Sequence, residues 1–165
     1  MKKTIALCLM ALLVATSFAQ QGRIIENPVI DGECFKGWKL TGAGGTNPDG
    51  TIYVTGTGDD CTYWLSNPIN VKAGEAYMVE FLMKSSHASG GCGVTGPVCC
   101  NVDIKLPGPQ WRLYKNVFAA PTKEAPCVRM GQWHAKATIQ YANLKILPVH
   151  PIFAKADGIE LGEGE

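Results

Sequence analysis

The sequence predicts an all-β antiparallel sandwich. Apolar and polar residues alternate in short runs, most clearly in Ala76–Lys84, where Tyr77, Val79, Phe81 and Met83 fall on one side. Gly and Pro are frequent, 19 and 10 of 165 residues, and they gather between those runs as turn signals. No segment sustains a helical period, and there is no internal repeat. Short two-faced strands separated by turns bury one face of each sheet and leave the other wet.

The expected strands follow in order. Arg23–Ile25 is short and apolar, and Phe35–Thr41 carries Trp38 and Leu40. A loop with an Asp49-Gly50 turn signal leads to Thr51–Thr55. Thr62–Ile69 is next, read with Tyr63 and Leu65 inward and Trp64 outward. A turn at Lys72–Glu75 leads into Ala76–Lys84, whose other face is Met78, Glu80, Leu82 and Lys84. The Gly-rich stretch around Cys92–Cys100 reads as a loop. Asn101–Leu106 sets Val102, Ile104 and Leu106 against Asn101, Asp103 and Lys105. Trp111–Ala119, Pro126–Trp133 and Ala137–Leu147 complete the set. In Pro126–Trp133, Val128 and Met130 face the core, and Cys127, Arg129, Gly131 and Trp133 share the other side.

The first residues read as a secretory signal. Lys2 and Lys3 precede the apolar run Ile5–Ala15, and Ser17-Phe18-Ala19 supplies small residues for cleavage after Ala19. The run is shorter than the roughly 20 residues of a membrane span, so no membrane insertion is expected after cleavage. The expected organisation is a signal peptide over 1–19, a sandwich domain over 20–150, and a tail or the start of a further segment over 151–165. Losing the two signal lysines takes the formal net charge from +1 to −1. No basic cluster remains, which excludes a nucleic-acid partner on electrostatic grounds. The expected location is secreted, periplasmic or extracellular.

Beyond the signal lie six cysteines, Cys34, Cys61, Cys92, Cys99, Cys100 and Cys127. An even number in an oxidising compartment predicts disulfides, whose pairing sequence alone leaves open. Cys92–Cys99 is the favoured pair because it would close the loop GCGVTGPVC, with Cys92–Cys100 close behind. A zinc site from these cysteines and a His lacks the usual Cys-x-x-Cys spacing.

Four blocks carry a family resemblance, in order from Asn27 to Val149. They are NPVIDGECFKGWKLTG, YWLSNPINVKAGEAYMVEFLMKSS, PQWRLYKNVFAAP and ATIQYANLKILPV. Together they resemble the jelly-roll carbohydrate-binding modules of galactose-binding-like fold. The resemblance implies a polysaccharide or oligosaccharide partner, no catalysis by this domain, and attachment to a larger carbohydrate-active protein with a downstream catalytic domain. That fold also hosts adhesion and structural domains, so a cell-surface sandwich without a sugar ligand is the alternative. The family often holds a structural calcium between an acidic residue of the opening block and an Asp of the last strand. Asp31 matches the first position, but Ala142 stands at the second, beside Asn143. One hard oxygen ligand is thus missing, and no cofactor is expected.

The wet faces of the predicted strands offer Trp64, Trp133, Arg129, Asp103 and Glu80 as carbohydrate contacts. A Trp ring provides a flat apolar platform for the C–H face of a sugar. Arg and carboxylates orient hydroxyls through charge-assisted hydrogen bonds. Each has a structural counterpart: a packed sandwich edge for the two Trp, a surface ion pair for Glu80 with Lys84, a cross-strand pair for Arg129 with Asp103. Trp38, Trp111, Tyr77 and Tyr114 are expected in the core. His87, His134 and His150 are scattered, and no nucleophile elbow, HExxH helix or phosphate loop is present.

Overall fold

Alternation translates directly into strands that each bury one side. The computed structural model describes residues 22–150. The expected signal peptide over 1–19 and the tail over 151–165 lie outside the described residues. Among the described residues eleven strands form: β1 (Arg23–Ile24), β2 (Lys39–Thr41), β3 (Gly44–Thr46), β4 (Ile52–Thr55), β5 (Cys61–Leu65), β6 (Ala76–Ser85), β7 (Cys92–Pro97), β8 (Val102–Lys105), β9 (Arg112–Ala119), β10 (Val128–Trp133) and β11 (Thr138–Pro148). They make two antiparallel sheets, one ordered β1-β9-β6-β11-β4-β3 and the other β2-β5-β10-β7-β8. From β4 to β7, and again from β8 to β11, the chain changes sheet at each connection. The two sheets are therefore stitched together along their length, as a jelly-roll sandwich requires.

The core lies between the sheets. Val79, Phe81 and Met83 of β6 face Val128 and Met130 of β10, and all five are fully buried. Tyr141 of β11, buried to the same degree, donates its hydroxyl to the Gly131 carbonyl of β10 and so ties one sheet to the other. Tyr77 and Tyr114 are buried, as expected, and stack against Phe118 and Phe81. Trp38 packs edge-on against Phe35 at the core margin. Trp111 corrects its expectation: it is only half-buried, with Lys84 Nζ 4.5 Å over its ring.

Two strands run through stretches read as loops, β3 and β7. In β7 the inward Gly93 has no room for a side chain, because Met83 Cε and the Tyr141 hydroxyl already fill the space a Cβ would take. The opposite sheet supplies the apolar bulk here, so β7 shows little alternation of its own.

That strand also overturns the Cys92–Cys99 pairing. Cys92 opens β7 and Cys99 follows its far end. A strand advances about 3.3 Å per residue, which carries these Cα atoms well past the ~7 Å reach of a disulfide. The same argument removes Cys92–Cys100. All six cysteines of the described residues are thiols.

Candidate functional site

The outer face of the five-stranded sheet is a grid of side chains set by strand register. One row reads Cys61, Trp133, Cys92 and Lys105 across β5, β10, β7 and β8. The next reads Thr41, Tyr63, Gly131, Val94 and Asp103. The third reads Lys39, Leu65, Arg129 and Gly96. Trp133, Arg129 and Asp103 therefore share one face, as the alternation of β8 and β10 predicts.

Trp133 is 51% exposed, a large exposure for so apolar a ring, and His134 braces it edge-on at 4.8 Å. Between Trp133 and Arg129 stands Gly131. A Cβ there would collide with the Thr62 carbonyl and Tyr63 Cβ, each 2.4 Å away, so the position is left without a side chain. Trp133 and Arg129 are four strand positions apart, about 13 Å, and they flank a low trough over Gly131. The trough has an aromatic wall at one end and a cation at the other.

At the cation end, the Arg129 guanidinium lies 4.5 Å over the Tyr63 ring. Such a contact fixes the guanidinium plane and contributes roughly 0.5–1 kcal/mol at an exposed site. The Nε of Arg129 is buried and has no hydrogen-bond partner. Beyond Arg129 the face opens into a groove of about 540 Å³ lined by Leu65, Val98, Pro121, Lys123 and Pro126. Cys99 also lines this groove. Its sulfur is 3.9 Å from that of Cys100, whose thiol is pushed up to about 11 by burial and by its neighbour.

Two expected contacts are elsewhere. Trp64 is 9% exposed and belongs to the core cluster. Its indole N–H donates to the Tyr53 carbonyl at 3.0 Å, so the wet-face reading of Trp64 is corrected. The parity of β5 is the reverse of the expected one: Thr62 and Trp64 point in, while Cys61, Tyr63 and Leu65 point out. A usable signal was Leu40, the apolar residue of β2, which pairs with Trp64 from the inner side. The same parity puts Tyr63 on the outer face, beneath Arg129. Glu80 lies on the outer face of the other sheet, where it meets Lys115 Nζ at 2.7 Å. It cannot join Arg129 on one surface.

The calcium candidate resolves into a hydrogen-bond lock. Asn143 Oδ1 accepts the Asp31 N–H at 2.6 Å, and Asn143 Nδ2 donates to the Val29 carbonyl at 2.8 Å. The Asn143 N–H donates to the Asp31 carbonyl at 3.2 Å. Asp31 Oδ1 itself accepts the Glu33 N–H at 3.0 Å. Amide donors thus occupy the oxygens a hard cation needs, and Asp31 is the single carboxylate in this lock, so these residues do not fit calcium. Among the described residues no group of three His, Cys, Asp or Glu side chains converges as a metal site.

Several solved structures share this architecture. A CBM4 carbohydrate-binding module aligns at 14% identity with a TM-score of 0.51, over 73% of this chain and 100% of that one. The second N-terminal cellulose-binding domain of Cellulomonas fimi β-1,4-glucanase C aligns at 14% identity and TM-score 0.50, over 77% of this chain and 95% of that one. The chain has the jelly-roll fold of carbohydrate-binding modules. The enzymatically active domain of bacteriophage CBA120 tailspike protein 4 also aligns, at 13% identity and TM-score 0.50, over 77% of this chain but 21% of that one. No family model and no curated protein sequence matches the chain.

Proposed function

We propose that this chain is a secreted, non-catalytic carbohydrate-binding module that holds a glycan across the outer face of its five-stranded sheet. The observation that carries this reading is the half-exposed Trp133 ring, set on one face with Arg129, Tyr63 and Asp103. Trp133 stacks on the apolar face of a sugar ring. Tyr63 and Arg129 form a fixed planar platform further along the trough, and Asp103 accepts hydroxyl hydrogens at its side. The C. fimi cellulose-binding domain of the same fold supports this reading. The module serves to keep a larger carbohydrate-active protein, with its catalytic domain, on a polysaccharide.

Calorimetric titration of the chain with soluble polysaccharides and oligosaccharides tests this. Saturable binding, weakened at least tenfold in Trp133→Ala at unchanged melting temperature, is the expected result. Absence of binding to every glycan would sink it. A structural or adhesion sandwich is then the better reading. One observation favours that second reading: Val117, Met78 and Leu147 form an apolar row across β9, β6 and β11 on the far sheet, with Val117 67% exposed.

A further inference from the structure

Arg129 is a cation without an anion. Among the described residues the ion pairs are Lys72–Glu75 and Lys115–Glu80, and Arg129 takes part in neither. The carboxylate of the grid, Asp103, sits in another row and two strands away, at roughly 10 Å sideways. The other cations of the grid are Lys39 and Lys105, and Lys123 lines the groove with Glu124. On the far sheet Lys115 is paired with Glu80, Lys84 lies over Trp111, and Lys145 has no ion-pair partner among the described residues. The positive charge of the grid is thus unspent, although the chain beyond Ala19 has a net charge near zero.

The chemistry at Arg129 is specific. Its guanidinium is held over the Tyr63 ring with no ion-pair partner among the described residues, and Arg129 itself lines the groove that admits a ligand. The planar fork of Arg matches a carboxylate or sulfate oxygen pair and recognises it by paired hydrogen bonds. A neutral sugar hydroxyl satisfies one such donor at a time.

We propose that the glycan is acidic, and that its anionic substituent, a uronate carboxylate or a sulfate ester, docks on Arg129 while a ring further along the same glycan stacks on Trp133. This rests on the carbohydrate-binding reading above and names the ligand class for the same face. Lys39 and Lys105 add a diffuse attraction for further anionic groups along the chain.

Affinity electrophoresis and calorimetry of the full chain test this with four polymers: polygalacturonate, dextran sulfate, unsubstituted dextran and a soluble neutral mannan. Binding to polygalacturonate or dextran sulfate at least tenfold tighter than to both neutral polymers is expected. The better of the two identifies the carboxylate or the sulfate. Arg129→Gln is expected to lose that preference. Arg129→Lys keeps the charge but loses the fork, and should fall between the two. Lys72→Gln, distant from the face, controls for bulk charge. Raising salt from about 0.05 M to about 0.5 M should weaken acidic binding and spare any neutral binding. Equal or tighter binding of a neutral polymer, or an Arg129→Gln variant of intact fold and unchanged preference, would overturn the acidic ligand and leave the module reading standing. No binding of any polymer would overturn both.

Discussion

Trp64 and Tyr53 join the two sheets: the indole N–H of one donates to the backbone carbonyl of the other across 3.0 Å, from β5 to β4. This makes Trp64 a structural residue. Trp64→Phe keeps an aromatic ring but leaves the Tyr53 carbonyl without its donor, and is expected to cost about 1–2 kcal/mol. Trp64→Ala removes the ring as well, for about 3–5 kcal/mol. Urea unfolding measures both. Glycan affinity of the folded Trp64→Phe protein should match the parent, the opposite of Trp133→Ala.

Tyr141 sets an alkaline limit. Burial holds its phenol well above the ordinary value of 10. Above pH 10 the unfolded chain releases this proton while the folded chain keeps it, so the folded state binds more protons and stability falls with rising pH. Burial shifts Tyr114 and the thiols of Cys34, Cys61, Cys92 and Cys100 in the same direction, which starts the decline near pH 9 in the reduced protein. Tyr141→Phe should be less stable by about 1–2 kcal/mol at neutral pH, through loss of the bond to Gly131. It should also show a shallower fall above about pH 10, where the unfolded phenol titrates. An unchanged slope would remove Tyr141 from the account.

At the acid end the sign reverses. Asp49 is held below its ordinary value by the Thr51 hydroxyl and N–H, and Asp60 by the Thr57 N–H and then Gln132. These carboxylates contribute stability above the ordinary carboxylate range, and it is lost as pH falls through their lower folded values. The buried Gln132 amide bonds Asp60 Oδ1 at 3.0 Å and the Ala135 N–H at 2.7 Å, so it couples this loss to the core. Gln132→Met should destabilise the protein and flatten the acid limb of a melting-temperature profile.

The Asp31–Asn143 lock predicts indifference to calcium. Adding calcium or a chelator should leave the melting temperature where it is. Asn143 has φ +56°, a left-handed conformation. Asn143→Gly keeps that backbone and deletes two side-chain hydrogen bonds, for about 2 kcal/mol. Asn143→Ala adds left-handed strain to the same loss and should be less stable still. A calcium-dependent rise in melting temperature would contradict the lock.

The local pattern held wherever both halves of an alternation were present. Ala76–Lys84 shows its inward Val79, Phe81 and Met83 because Glu80 and Lys84 break the apolar run beside them, and β8 and β10 show theirs through Asp103, Lys105 and Arg129. What alternation could not give is the sense of a run with large apolar residues on both sides. In β5, Tyr63, Trp64 and Leu65 all suit a core, and the choice fell to Leu40 and Met130, which close around Trp64 from the adjacent strands. Nor could it assign a strand to a sheet. Glu80 and Arg129 both face outward, but outward from opposite sheets, because β6 pairs with β9 and β11 while β10 pairs with β5 and β7. β7 was hidden because its inner surface is completed by Met83 and Tyr141 from elsewhere in the chain. Period and turn chemistry are properties of a few consecutive residues and can be read along the chain. Parity, sheet membership and the company kept by Arg129 depend on contacts between distant segments, and only the packed sandwich fixes them.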